Sequence, residues 1–333
     1  MALSDIVRKL DNTINGVGTR RAAQAGWRPA VTGYYGYGDA DRIRVLARVL
    51  MHNPEPPKAE VQRGFRQFFT LQVGDAAVTI HAGEQTVHTR TNHDGYIDVP
   101  ISNHGLAPGW QRVRIDVEGG ESAEAEVLVL ERGVKYGLVS DVDDTVMVTM
   151  LPRAMIAAYN SWFLKTNARK PVPGMAELYA CLREKYGQHM PVFYLSTGAW
   201  NTFPSLASFL ARHGFPKGPL LLTDWGPTQT GLFRSGQEHK KVQLRNLIID
   251  FPDIHWILVG DDGQHDPLTY GNLAMEHPGR VERVAIRELT PGEHLLAHGT
   301  AVPIETADGR GQLEWVTGAD GYELAKQWPE VEH

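Results

Sequence analysis

A single cysteine, Cys181, stands in 333 residues. One thiol excludes an internal disulfide framework and fits a reducing compartment. No stretch approaches the roughly 20 apolar residues that span a bilayer. The longest apolar runs are short, such as 127–130 and 219–222. The first ten residues carry charges where a signal peptide needs an apolar core. Basic excess is missing too: 33 Lys+Arg face 39 Asp+Glu, a net charge of −6, so there is no global footprint for nucleic acid. These absences point to a soluble, cytoplasmic chain, with peripheral membrane contact left open. What is present, 42% hydrophobic and 22% charged residues, is the make-up of a folded protein. At about 150 residues per domain, the length suggests two domains.

The hydrophobic pattern changes along the chain. Ile6, Val7, Leu10 and Ile14 recur at helical spacing, so 4–15 reads as an amphipathic helix. With the Arg/Gly/Ala-rich link that follows, 1–29 stands apart. From 30 to 131 the runs 42–50, 85–90, 110–117 and 124–130 broadly alternate in period two, with Gly, Asn and Asp between them. That grammar predicts an all-β sandwich of seven or eight strands, with Trp27 and Trp110 in its core. His93-Asp94-Gly95 reads as a hairpin turn rather than a metal site.

From 132 to 333, short β-rich runs alternate with helical ones. Strands are expected at 136–140, 191–195, 220–223, 255–259 and 281–286, and helices near 152–164, 174–186, 203–213, 239–250 and 267–276. The alternation predicts an α/β domain, a parallel sheet with helices on both faces. The tail, 287–333, is mixed, with a closing helix expected over 320–327. Cys181 falls in the apolar phase of its helix and reads as core.

Ligands of open parallel sheets bind beyond the carboxyl ends of the strands. There the first strand ends in Ser140-Asp141-Val142-Asp143-Asp144-Thr145, the second in Ser196-Thr197-Gly198, and the fourth in Gly260-Asp261-Asp262-Gly263-Gln264-His265-Asp266. His239-Lys240-Lys241 opens the helix leading into the fourth strand. Several carboxylates at one point need a cation, and a hard, oxygen-only set suits Mg²⁺. A lysine and a hydroxyl beside them make a site for a dianionic phosphate. Taken singly, each residue has a plainer reading. Asp141 and Asp143 fit solvated turns, Asp144 a turn acceptor, Ser196 a helix cap and His265 a turn filler.

Asp141-x-Asp143-x-Thr145, Ser196, Lys240 and Gly260-Asp261 with Asp266 resemble, in order, the four motifs of the haloacid dehalogenase superfamily. The wording around them is similar to the actin-patch-type phosphatidate phosphatases and their bacterial relatives, more distantly to lipins. The resemblance covers roughly 130–290. It implies Asp141 as nucleophile, Asp143 as general acid and base, and Ser196 and Lys240 as phosphate ligands. It further implies Thr145 as a loop support and Asp266 as the residue orienting Lys240 or a metal-bound water. Mg²⁺ would be held by Asp141, the Asp143 backbone carbonyl and Asp261, with Asp262 and Asp144 as less central members. Lys240 is preferred to Lys241 because Leu244 supplies the apolar residue four places on.

Fifty residues separate Thr145 from Ser196, and 43 separate Ser196 from Lys240. The expected helices and strands fill most of them, leaving little or no cap, and an open site favours a large or surface-borne substrate. Between Val146 and Ala176 there is no Asp or Glu, while Arg153, Lys165, Arg169 and Lys170 are present with Met147, Met150, Leu151, Met155, Ile156, Trp162, Phe163 and Leu164. Such a segment suits either an anionic bilayer surface or the core of an ordinary helix. The resemblance implies hydrolysis of phosphatidate to diacylglycerol and phosphate. A phosphatase of phosphoproteins or soluble esters, and a non-catalytic phosphatidate-binding module, are the alternatives.

Overall fold

The computed structural model describes residues 18–54, 71–148, 169–223, 236–263, 265–298 and 313–328. The expected helices at 4–15 and 152–164 lie outside these residues. So does most of the acid-free segment, although Met147 at its start is fully buried. Residues 18–24, read as a link, are helical, in keeping with the helix propensity of Arg20-Arg21-Ala22-Ala23. Two compact units divide the chain after Arg132.

The first unit is built from eight strands: β1 (Arg28–Gly33), β2 (Gly36–Gly38), β3 (Arg42–His52), β4 (Ala77–Ala82), β5 (Gln85–Arg90), β6 (Tyr96–Ser102), β7 (Gly109–Val117) and β8 (Ala123–Val129). They share one hydrogen-bonded network in the order β1-β3-β2-β8-β7-β4-β5, with β6 paired to β3. Strand β3 is long enough to pair with β1, β2 and β6 at once. Every pair is antiparallel except β2 with β8. Ile43, Val45, Ala47 and Val49 of β3 alternate inward and join Ile80, Ile97, Val113, Ile115 and Val127 in one core. Trp27 and Trp110 are only half-buried; Trp110 instead packs edge-on against Tyr35. The His93-Asp94-Gly95 segment is a turn. The Asn92 side chain accepts from the Asp94 and Tyr96 amides, and Arg48 donates to the Asp94 carbonyl.

The second unit carries β9 (Tyr136–Asp141), α1 (Met175–Tyr186), β10 (Val192–Ala199), α2 (Phe203–Arg212), β11 (Leu220–Thr223), α3 (Gly236–Asp250), β12 (His255–Asp261), α4 (Asp266–Glu276), β13 (Val281–Arg287), α5 (Pro291–His298), β14 (Trp315–Gly318) and α6 (Gly321–Lys326). Its six strands run in the order β11-β10-β9-β12-β13-β14, all parallel. Leu138, Val139, Phe193, Leu195, Ile257, Leu258, Val284 and Ala285 are all buried, the continuous apolar reading of strands covered on both faces. Gly137 is required where the Trp256 ring crosses β9, because a Cβ there would lie 2.5 Å from the ring.

Strand β11 ends at Thr223 as expected, while β9, β10, β12 and β13 run one to four residues further at their carboxyl ends than hydrophobicity suggested, because polar residues continue them: Asp141, Ser196 to Gly198, Asp261 and Arg287. Strand β14 and helix α5 went unread in the mixed tail. A four-residue strand leaves little pattern. Helix α5, however, is announced by Thr290-Pro291-Gly292-Glu293, whose Thr290 and Glu293 exchange capping bonds. Cys181 is exposed rather than core. Helix α1 buries Met175, Leu178, Tyr179 and Leu182, and position 181 falls off that stripe.

Candidate active site

The order in which strands are added to the sheet reverses between β9 and β12. In open sheets of this kind, ligands bind beyond the carboxyl ends of the strands at such a switch point. Asp141 is the last residue of β9 and Asp261 the last of β12. Asp266 opens α4, and Lys240 lies in the early turns of α3. All four are buried. His239 steadies this part of α3 by donating its Nε2–H to the Leu221 carbonyl, at 3.3 Å.

The Lys240 ammonium lies 2.6 Å from Asp141 Oδ1 and 2.6 Å from Asp266 Oδ1. Lys241 is instead on the surface, paired with Glu238. Oxygens of Asp141, Asp261 and Asp266 lie within 4.8 Å of one another. Three carboxylates thus share one ammonium in a place without water's dielectric. Burial first, then repulsion from Asp266 and its neighbours, pushes the Asp141 and Asp261 carboxyls well above the usual carboxylate range. Burial opposes the Lys240 charge, but Asp141, Asp266 and Asp261 together outweigh it and hold the amine protonated. Asp141 Oδ2 and Asp266 Oδ2 are buried with no hydrogen-bond partner. A buried, unbonded anionic oxygen is costly, and three carboxylates gathered this closely fit a hard divalent cation. The structure thereby adds Asp266 to the candidate ligands as well as placing it on Lys240.

The loop after β9 supplies the rest. Asp143 Oδ2 accepts from Ser196 Oγ at 3.1 Å, and Ser196 Oγ accepts from the Gly198 amide at 2.9 Å. Thr145 Oγ1 donates to Asp261 Oδ2 at 3.3 Å, and the Gly263 amide donates to Asp261 Oδ1 at 2.8 Å. Asp144 is buried with φ +58°, its amide on the Met147 carbonyl. Asp262 is turned out of the cluster: it accepts from the Leu289 amide and faces His294. His265 sits half-buried at the N-cap of α4 without a side-chain capping bond.

Other supports carried no clear sequence signal. Ser140 Oγ donates to the Asp141 carbonyl at 2.6 Å and meets the Tyr179 hydroxyl at 2.5 Å. Tyr270 donates to the Val259 carbonyl beneath the cluster. Arg287 could have been found, because it ends β13 just as the acids end β9 and β12.

Gly260 shows how tightly the site is packed. A Cβ there would lie 2.5 Å from Asp266 Oδ2 and 2.8 Å from the Tyr270 ring. Gly260→Ala is expected to displace Asp266 from Lys240 and to destabilise the fold by about 1–3 kcal/mol, the range for overpacking. Urea unfolding checks this; a wild-type midpoint would mean that the helix start yields freely.

Sequence comparison finds relatives of the segment that carries this site. Residues 136–288 match the family described as phosphatidate phosphatase APP1, catalytic domain. Phosphatidate phosphatase APP1 of Saccharomyces cerevisiae is 28% identical over 152 residues, 45% of this chain and 25% of the yeast protein. An uncharacterised protein of Schizosaccharomyces pombe is 23% identical over 262 residues, 73% of this chain and 42% of that protein. The chain thus spans less than half the length of either relative. Among solved structures, an uncharacterised Listeria monocytogenes protein aligns with 57% of this chain and 95% of its own, at 11% identity and a TM-score of 0.38. The segment that holds Asp141, Lys240, Asp261 and Asp266 is therefore similar to the catalytic domain of the phosphatidate phosphatase APP1 family.

Proposed function

We propose that this chain is a Mg²⁺-dependent phosphatidate phosphatase of the haloacid dehalogenase type, working through an aspartyl-phosphate. The observation that carries the reading is Lys240 set between Asp141 and Asp266, with Asp261 closing the cluster, inside the segment similar to a phosphatidate phosphatase catalytic domain. Asp141 attacks phosphorus, and the bond to the diacylglycerol oxygen breaks. Asp143, as general acid, delivers a proton to the leaving alkoxide. It then takes a proton from the water that attacks the aspartyl-phosphate, which frees phosphate and regenerates Asp141. Ser196 and Lys240 hold the phosphoryl oxygens, and the Thr145 hydroxyl keeps Asp261 aimed at the cluster. Asp141, Asp261 and the Asp143 carbonyl, with Asp266 beside them, would hold Mg²⁺, which screens the repulsion between anionic nucleophile and anionic phosphate.

Among the described residues, no helix is long and apolar enough to cross a membrane. The composition of the acid-free segment between Val146 and Ala176 supports contact with a lipid surface there.

Phosphate release from phosphatidate vesicles and from a soluble phosphomonoester, each with Mg²⁺ or chelator, tests the reading. Release from vesicles with Mg²⁺ and none with chelator is expected. Release from the soluble ester alone would keep the chemistry and remove the lipid. Vesicle binding without release would make the chain a binding module.

A further inference from the structure

Behind the acidic loops lies a buried arginine that the proposed chemistry does not use. Arg287 ends β13 and sends its guanidinium in three directions. Nη1 donates to the Asp144 carbonyl at 2.7 Å, Nη2 to Glu293 Oε1 at 2.7 Å, and Nε to the Ala319 carbonyl at 3.0 Å. Glu293 is itself fixed. Its other oxygen accepts from the Thr290 amide and hydroxyl at the start of α5. Despite its partial burial, the bonds from Arg287 and Thr290 keep its carboxyl below the usual range, and so ionised.

The contact with Asp144 falls at the one residue of the loop held in the left-handed region, at φ +58°. Residues other than glycine seldom adopt that conformation unless something holds them there. The Asp144 carbonyl lies between the two loop residues that reach the site: Asp143 toward Ser196 and Thr145 toward Asp261. If the peptide after Asp144 turned over, the left-handed residue would relax. Thr145 would leave Asp261, and Asp143 would leave Ser196. The planar guanidinium, with donors fixed in a fork, resists that turn in a way a flexible ammonium cannot.

We propose that Arg287, clamped by Glu293, is a positioning residue that locks the 142–147 loop in the geometry presenting Asp143 and Thr145. The kinetic part rests on the phosphatase reading; the structural part does not. Two measurements are made on the full chain for wild type, Arg287→Gln, Arg287→Lys and Glu293→Ala. The first is kcat and KM for phosphate release. The second is amide hydrogen exchange at Asp144, Val146 and Met147, whose N–H groups bond to the Met147 and Val142 carbonyls.

In Arg287→Gln, kcat is expected to fall on the order of 10²-fold, the scale of a small misplacement, with KM nearly unchanged. Protection is lost at the three loop amides but kept in β12. Arg287→Lys preserves the charge without the fork and shows the same pattern, less deeply. Glu293→Ala loosens the guanidinium and follows in the same direction. Should Arg287→Gln not fold, the lysine variant carries both readouts. Wild-type kcat with wild-type loop protection overturns the proposal. So does full rescue by lysine, or a loss of protection spread equally through β12, which would mark a merely structural role. If wild type releases no phosphate, the functional reading fails and the exchange data alone decide.

Discussion

Asp141→Asn is expected to lose phosphate release by on the order of 10⁴–10⁶-fold while remaining folded, the scale seen when a covalent nucleophile is removed. Asparagine keeps the size and one carbonyl oxygen, so Lys240 retains an acceptor where Asp141 Oδ1 stood at 2.6 Å. What it loses is the anionic oxygen that attacks phosphorus. The same change takes one of three carboxylates out of a cluster that a single ammonium cannot neutralise. Metal-free Asp141→Asn is therefore expected to melt no lower than wild type. Phosphate release and thermal melting in chelator check the two halves. Activity within tenfold of wild type would remove Asp141 from the nucleophile's place.

Lys240→Met carries the largest expected effect on stability. It leaves Asp141, Asp261 and Asp266 buried together without their ammonium. Breaking a buried ion pair from one side costs about 3–5 kcal/mol, and phosphate release is lost with it. The dependence on pH follows from the direction of the carboxyl shifts. Asp141 and Asp261 already have raised values in the folded protein. A raised folded value contributes stability that is complete below the unfolded value, about 3.9, and is lost as pH climbs through the folded one. Without the lysine both values rise further. Lys240→Met in chelator is thus expected to be near wild type at pH 5 and well below it at pH 8, with Mg²⁺ returning part of the difference. Urea unfolding at the two pH values reads this. Equal stability at pH 8 would mean that Lys240 is not the counter-ion of the cluster.

Much of the second unit's fold is legible in the sequence, for a physical reason. In a parallel sheet the strands are nearly pure hydrophobic runs and the chemistry begins where they stop. Asp141, Ser196 and Asp261 could thus be placed by reading to the end of each run. Facing was harder to read. Asp261 and Asp262 are chemically identical neighbours, and only the contacts made at the end of β12 separate them: Asp261 joins the cluster while Asp262 turns to Leu289 and His294. Cys181 failed in the same way, one helical position off the stripe of Leu178 and Leu182. The contact from Arg287 to the loop could not be read, because Asp144 lies 143 residues away in sequence, although its place at the end of β13 marked the residue itself. The first unit's strands were legible one by one. Their joining into a single network was not, because it depends on β3 serving three neighbours at once.

The strand order also sets a timetable. The central strand β9 has β10 on one side and β12 on the other, and Thr145 waits 116 residues for Asp261. Contacts so distant in sequence form slowly, because a long loop must close before they return anything. During synthesis, β9 can pair with β10 while Asp141 is still in water. Lys240 emerges before Asp261 and Asp266, so the counter-ion is available before the last two acids arrive. The acids need never be buried ahead of their ammonium. The step that completes the sheet is the one that creates the charged interior, which makes closure of β12 onto β9 the natural point for ionic conditions to govern the rate of folding.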